Sequence, residues 1–198
     1  MRLMTRLIIK YNWASVGIFA CVIVIAHFFT SNPYDWRNNT ISELASQYYH
    51  YRWIMKSGFI LFGSILAMGI IHKLINGNGK LLKELPILIY GLAILVSGLY
   101  STKPVIAGIE YSELESQIHS YAAQIAGIAF SVGLLIQGFT ETNRNLKIIH
   151  FSAFCFVIGL SALFGLIHSD VGIIQRIMYV GSFAWLLFFY NRKEITPS

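Results

Sequence analysis

Three short stretches carry side chains able to do chemistry, and each abuts a long apolar run. The first is Thr40-Ile41-Ser42-Glu43. The second is Ser112-Glu113-Leu114-Glu115, with His119 one turn beyond. The third is His168-Ser169-Asp170, with Gln175 and Arg176 close behind. Ser42, His119 and Asp170 are the nucleophile, base and orienting-acid types of a hydrolase or transferase. Glu43, Glu115, His119 and His168 are zinc-ligand types. Arg176 is a permanent cation suited to a phosphate or carboxylate. No GxSxG, HExxH or comparable spacing accompanies them, and geometry rather than residue type defines such sites. They stand as candidates: Ser42, His119 and Asp170 for catalysis, Glu43, Glu115, His119, Gln175 and Arg176 for a ligand, and His119, His168 and Glu115 for a metal.

The elements that must position them are membrane helices. The chain of 198 residues is 56% hydrophobic and 12% charged, about half the charged share of an average soluble domain. Six apolar spans are expected at about 12–30, 53–75, 86–102, 115–139, 147–168 and 171–191, on length and near-absence of charge. The fold class is all-α, a polytopic bundle forming a single membrane domain over 1–198. Pro86 is placed in the first turn of the third span, where it forfeits no helical hydrogen bond. The basic start, MRLMTRLIIKYNW, leads into a long run with no A-x-A-like site, so it reads as a retained first helix. Cys21 and Cys155 fall inside apolar runs and read as packing residues.

Charge sets the orientation. With the N-terminus inside, ten of the fifteen Lys and Arg fall on the inner side, Arg2, Arg6, Lys10, Lys73, Lys80, Lys83, Arg144, Lys147, Arg192 and Lys193. Both termini are therefore expected in the cytoplasm, with the chain in the cytoplasmic membrane. The net charge of +6 is explained by this topology. No aromatic-interleaved basic stretch supports nucleic-acid binding. The three chemistry-bearing stretches then share the outer side, while the inner loops read as plain connectors.

Both acidic stretches have capping-box spacing. Thr40 is an expected N-cap with Glu43 reaching back, and Ser112 likewise with Glu115. The first would open a short interfacial helix, followed by Tyr48, Tyr49, Tyr51 and Trp53 as an aromatic belt. Glu115 and His119 are four apart and share a helix face. Gln124, deeper on that helix, is expected to seek a partner inside the bundle. Arg176 falls about one and a half turns into the last span. It is expected to snorkel, to pair with Glu43, Glu115 or Asp170, or to contact an anionic ligand.

The stretches SNPYDWRNNTISELAS, IHSYAAQIAG and GIIQRIMYVGSFAWLLFFY resemble the bacterial and archaeal membrane-protein family catalogued as domain of unknown function nine hundred and ninety-eight. The resemblance implies a six-span bundle in which Ile41, Ser42, Glu43, His119, Gln175 and Arg176 act together, and it implies no particular reaction. Ala45 stands where that family's first motif has glycine.

The leading functional expectation is an outer-face site for a lipid head group or other anionic amphiphile. The runner-up is an intramembrane hydrolase or transferase at the outer leaflet. A haem carrier using His72 with His150, or His119 with His168 or His27, would need ligands facing each other across the bundle. The sequence assigns no cofactor. Gly58, Gly63, Ser64, Gly127 and Gly133 would suit close helix packing, within the bundle, in a homo-oligomer or against a membrane-protein partner. No paired broken helices point to a transporter.

Overall fold

The structure is a computed structural model that describes residues 2–30, 33–167 and 169–191, with side chains described from Tyr11 onward. His168, Arg192, Lys193 and Glu194 lie outside the described residues, as do the side chains of Arg2, Arg6 and Lys10. The order is α1 Arg2–Phe28, α2 Arg52–Ile75, α3 Leu81–Leu99, α4 Glu113–Thr140, α5 Arg144–Leu166 and α6 Val171–Phe188. There is no strand among the described residues. All six helices are long and apolar enough to cross a membrane. The chain is a multi-pass helical membrane protein.

Local chemistry fixes the ends. Ser112 caps α4, its hydroxyl accepting from the Glu115 N–H at 3.3 Å. Asn143 caps α5 through its side-chain oxygen, which accepts from the Asn145 and Leu146 N–H groups. Such caps satisfy helix donors that have no intrahelical partner. The helix α3 begins five residues before the expected span. Leu81, Leu82, Lys83 and Glu84 are good helix formers that the apolar window passes over. Pro86 is therefore its sixth residue, in the second turn, and the Leu82 carbonyl lacks its usual i+4 donor.

The core centres on Phe19 of α1, fully buried against Phe59 and Phe62 of α2 and Tyr179 and Phe183 of α6. Lipid is as apolar as this core, so close packing rather than water exclusion selects the arrangement. The tightest approach is between α2 and α3. A Cβ at Gly63 would lie 2.4 Å from the Gly91 carbonyl oxygen and 2.6 Å from the Leu95 amide nitrogen. Gly63→Ala is expected to force these backbones apart and lower stability by about 1–2 kcal/mol. Thermal unfolding in detergent checks this, and an unchanged melting temperature would contradict it.

Several faces differ from expectation. A Cβ at Gly127 would meet open space. Cys21 and Cys155 are exposed on the bundle surface, and so is Gln124. Apolarity alone carries little information about facing when the solvent is hydrocarbon.

Candidate functional site

The loop between α1 and α2 is a folded cap. Asp35 nucleates it, its carbonyl accepting from the Asn38 and Asn39 N–H groups. The Asn39 side-chain oxygen accepts from the Asp35 N–H at 2.8 Å. The expected capping box at Thr40 forms. Glu43 accepts from the Thr40 N–H at 2.5 Å, and the Thr40 hydroxyl accepts from the Glu43 N–H at 3.2 Å. The box opens a single 3-10 turn, Ser42–Ala45, shorter than the helix expected. Ile41, Leu44 and Ala45 are buried, so this turn plugs into the bundle end.

The loop is clamped to the start of α6. The Gly172 and Ile173 N–H groups donate to the Arg37 carbonyl. The Gln175 side-chain oxygen accepts from the Ile41 N–H at 2.6 Å. Arg37 pairs with Asp170 at 3.1 Å, with both side chains exposed, so the pair contributes little. A Cβ at Gly172 would lie 2.3 Å from the Asn39 carbonyl oxygen and 2.5 Å from that of Trp36. Gly172→Ala is expected to push the loop off α6 and lower stability by about 1–2 kcal/mol, read as a lower melting temperature. An unaltered melt would show that the clamp yields freely.

Arg176 sits beneath this clamp. Its Nη1 donates to the carbonyls of Asn39 at 3.1 Å and Gly172 at 2.8 Å. Its Nη2 donates to the Tyr34 hydroxyl at 2.7 Å and to His27 Nε2 at 2.9 Å. A guanidinium has no acceptor, so His27 Nε2 must accept. The His27 proton then resides on Nδ1, which donates to the Ile23 carbonyl at 2.7 Å. The expected pairing with an acid does not occur among the described residues. Asp170 is taken by Arg37, Glu115 by the Ser101 N–H, and Glu43 by Thr40 and Asn39. Arg176 is thus held by neutral acceptors only.

Arg176 is one of the residues lining an open, almost wholly apolar groove of about 380 Å³ between α5 and α6, within the usual volume range for a small-ligand site. Ile173, Ile177, Val180, Gly181, Phe156 and Trp36 complete its lining. A smaller cleft of about 200 Å³ lies between the α1–α2 and α3–α4 loops, beside Tyr34, Tyr48 and His50.

Glu115 and His119 belong to a different group. The His119 Nδ1 lies 2.7 Å from the Ser97 carbonyl oxygen and 3.0 Å from that of Tyr100. Its Nε2 is buried with no partner among the described residues. Glu115 makes no hydrogen bond to His119. It accepts from the Ser101 N–H at 2.8 Å and lies 3.8 Å from Lys56 Nζ. Lys56 is buried and donates to the Leu99 carbonyl and the Ser101 hydroxyl. It neutralises the carboxyl end of α3. The candidate ligand residues therefore form two sets. Glu43, Gln175 and Arg176 meet at the first loop, and Glu115 and His119 sit at the α3–α4 junction.

No hydrogen bond joins any two of Ser42, His119 and Asp170. Among the described residues no three His, Cys, Asp or Glu side chains are grouped to hold a metal ion.

Two features escaped sequence reading. One is the role of His27 and Tyr34 as anchors of Arg176. The other is a buried polar clasp at the opposite end of the bundle. There Glu84 accepts from Lys73 and from the Tyr190 hydroxyl. Lys73 also donates to the Asn191 side chain at 2.9 Å, and Asn191 donates to the Tyr11 hydroxyl at 3.2 Å. Nearby, Trp185 Nε1 donates to His150 Nδ1 at 2.9 Å. The segments at this end of the bundle are therefore more than connectors. The signal was a Lys and a Glu flanking one short loop, which also fits an ordinary topology charge.

Fold and site together define a six-span helical membrane protein whose α1–α2 loop is locked onto its last helix. The family model described as "Protein of unknown function (DUF998)" matches residues 13–190, and the chain belongs to that family. No curated protein and no solved structure matches the chain.

Proposed function

We propose that this protein binds an anionic amphiphile at the outer end of the bundle. The head group sits at Arg176 and an acyl chain lies in the groove between α5 and α6. The protein would reside in the cytoplasmic membrane of a prokaryote with both termini inside, in keeping with the bias of Lys and Arg toward the inner loops. The observation that carries the reading is an arginine with no carboxylate partner among the described residues whose side chain lines an apolar groove. An intramembrane arginine costs on the order of 2–3 kcal/mol, and a ligand anion would offset that cost. Gln175 and Glu43 hold the loop that roofs the site.

The test is the lipid content of the purified protein. Arg176→Gln is expected to lower retained anionic lipid about tenfold, the scale of one charge-assisted hydrogen bond. Val180→Trp fills the groove and leaves every Arg176 bond intact, and it should do the same. If both variants keep the wild-type lipid profile, the reading fails.

A further inference from the structure

We infer that the head group recognised by Arg176 is a singly charged phosphodiester, and that His27 and Tyr34 set this selectivity; the inference rests on the amphiphile reading above. The argument is an account of donors. A guanidinium has five N–H groups. Four are committed, to the Asn39 and Gly172 carbonyls, His27 Nε2 and the Tyr34 hydroxyl. Only Nε–H has no acceptor among the described residues. Two-pronged recognition of a carboxylate or a terminal phosphate needs two parallel N–H groups on one edge. On the edge that includes Nε–H, the second prong belongs to Nη2, and His27 and Tyr34 occupy it. An incoming anion therefore receives one hydrogen bond from a single positive charge.

Among the described residues the surroundings offer no second free cation. His27 accepts from Arg176 and so presents no charge of its own. Tyr34 donates its hydroxyl proton to the Thr40 carbonyl at 3.1 Å, leaving none for a ligand. Arg37 is turned to Asp170. Behind the loop stands Glu43, whose carboxylate accepts from Asn39 at 3.3 Å and disfavours further negative charge. A dianionic phosphomonoester would thus bring one uncompensated charge into a half-buried site. A fatty-acid carboxylate would lose the fork that usually recognises it. A phosphodiester needs neither.

The experiment is competitive retention by the full-length protein in neutral detergent. Phosphatidylglycerol, phosphatidic acid and palmitate are supplied together at about pH 8, where a phosphomonoester carries close to two charges. Bound lipid is read by mass spectrometry. The wild type should retain phosphatidylglycerol about tenfold over each competitor. Whichever of His27→Leu and Tyr34→Phe removes the acceptor on the Nε edge should free that Nη2 prong and raise phosphatidic acid to near parity. Equal or greater retention of phosphatidic acid or palmitate by the wild type overturns this inference and leaves the amphiphile reading standing. Unchanged selectivity in both variants also overturns it. Retention of no anionic lipid overturns both.

Discussion

Glu84→Ala is expected to lower the stability of the bundle by about 3–5 kcal/mol, the scale measured when one partner of a buried ion pair is removed. Lys73 and Glu84 side chains are only 12% and 4% exposed. The substitution would strand the Lys73 ammonium, leaving it the Asn191 side-chain oxygen and the face of the Tyr190 ring. It would also remove the carboxylate acceptor of the Tyr190 hydroxyl, leaving that group only its contact with Tyr11. The loss falls where α2, α3 and the segment after α6 meet, and where Asn191 reaches Tyr11 of α1. A paired substitution, Lys73→Met with Glu84→Leu, removes both charges. It should recover most of the loss, since an apolar pair of similar volume avoids the desolvation cost. Thermal unfolding in detergent separates the cases. A loss below about 1 kcal/mol for Glu84→Ala would show that this clasp does not hold the bundle.

Glu115→Leu should lower stability by about 2–3 kcal/mol, measured the same way. The change leaves Lys56, buried at 5% exposure, without an anion and the Ser101 N–H without its acceptor. Both losses lie in the scale of hydrogen bonds to charged groups. The expected figure stays below that for Glu84 because the Glu115 side chain is 32% exposed and 3.8 Å from the ammonium. The double variant Lys56→Met with Glu115→Leu discriminates between causes. It should be less damaged than Glu115→Leu alone if a stranded charge is responsible. Equal damage would place the effect in the α3–α4 turn instead.

The sequence was most legible where chemistry is local. Thr40 with Glu43, and Ser112 before α4, could be read as caps because three-residue spacing fixes who meets whom. Six helices could be read because a membrane demands long apolar runs. The meeting of Glu43, Gln175 and Arg176 at one loop was in keeping with topology and the family's motifs.

Longer-range features were not legible. The buried polar clasp joins Tyr11, Lys73, Glu84, Tyr190 and Asn191, which span almost the whole chain, and no spacing rule links them. Glu115 and His119 share a helix face, yet each finds a better partner across the α3–α4 junction. Glu115 takes a backbone N–H and a buried lysine, and His119 lies against carbonyls at the end of α3. Gln124, Cys21 and Cys155 suggest packed faces because each is a polar or small residue in an apolar run. In lipid that inference is weak, because both faces of a helix contact apolar surroundings.

The most direct test of the amphiphile site is an experimental structure of the protein in nanodiscs of phosphatidylglycerol. The expected result is head-group density within hydrogen-bond distance of Arg176 Nε, with acyl density running past Ile173, Ile177 and Val180 toward Gly181 between α5 and α6. The His27 and Tyr34 contacts to Nη2 should persist in that state. The contradicting result is a groove without lipid density and an Arg176 guanidinium paired with a carboxylate of the protein itself. That outcome would make the arginine a structural clamp of the first outer loop and remove the basis for a head-group site.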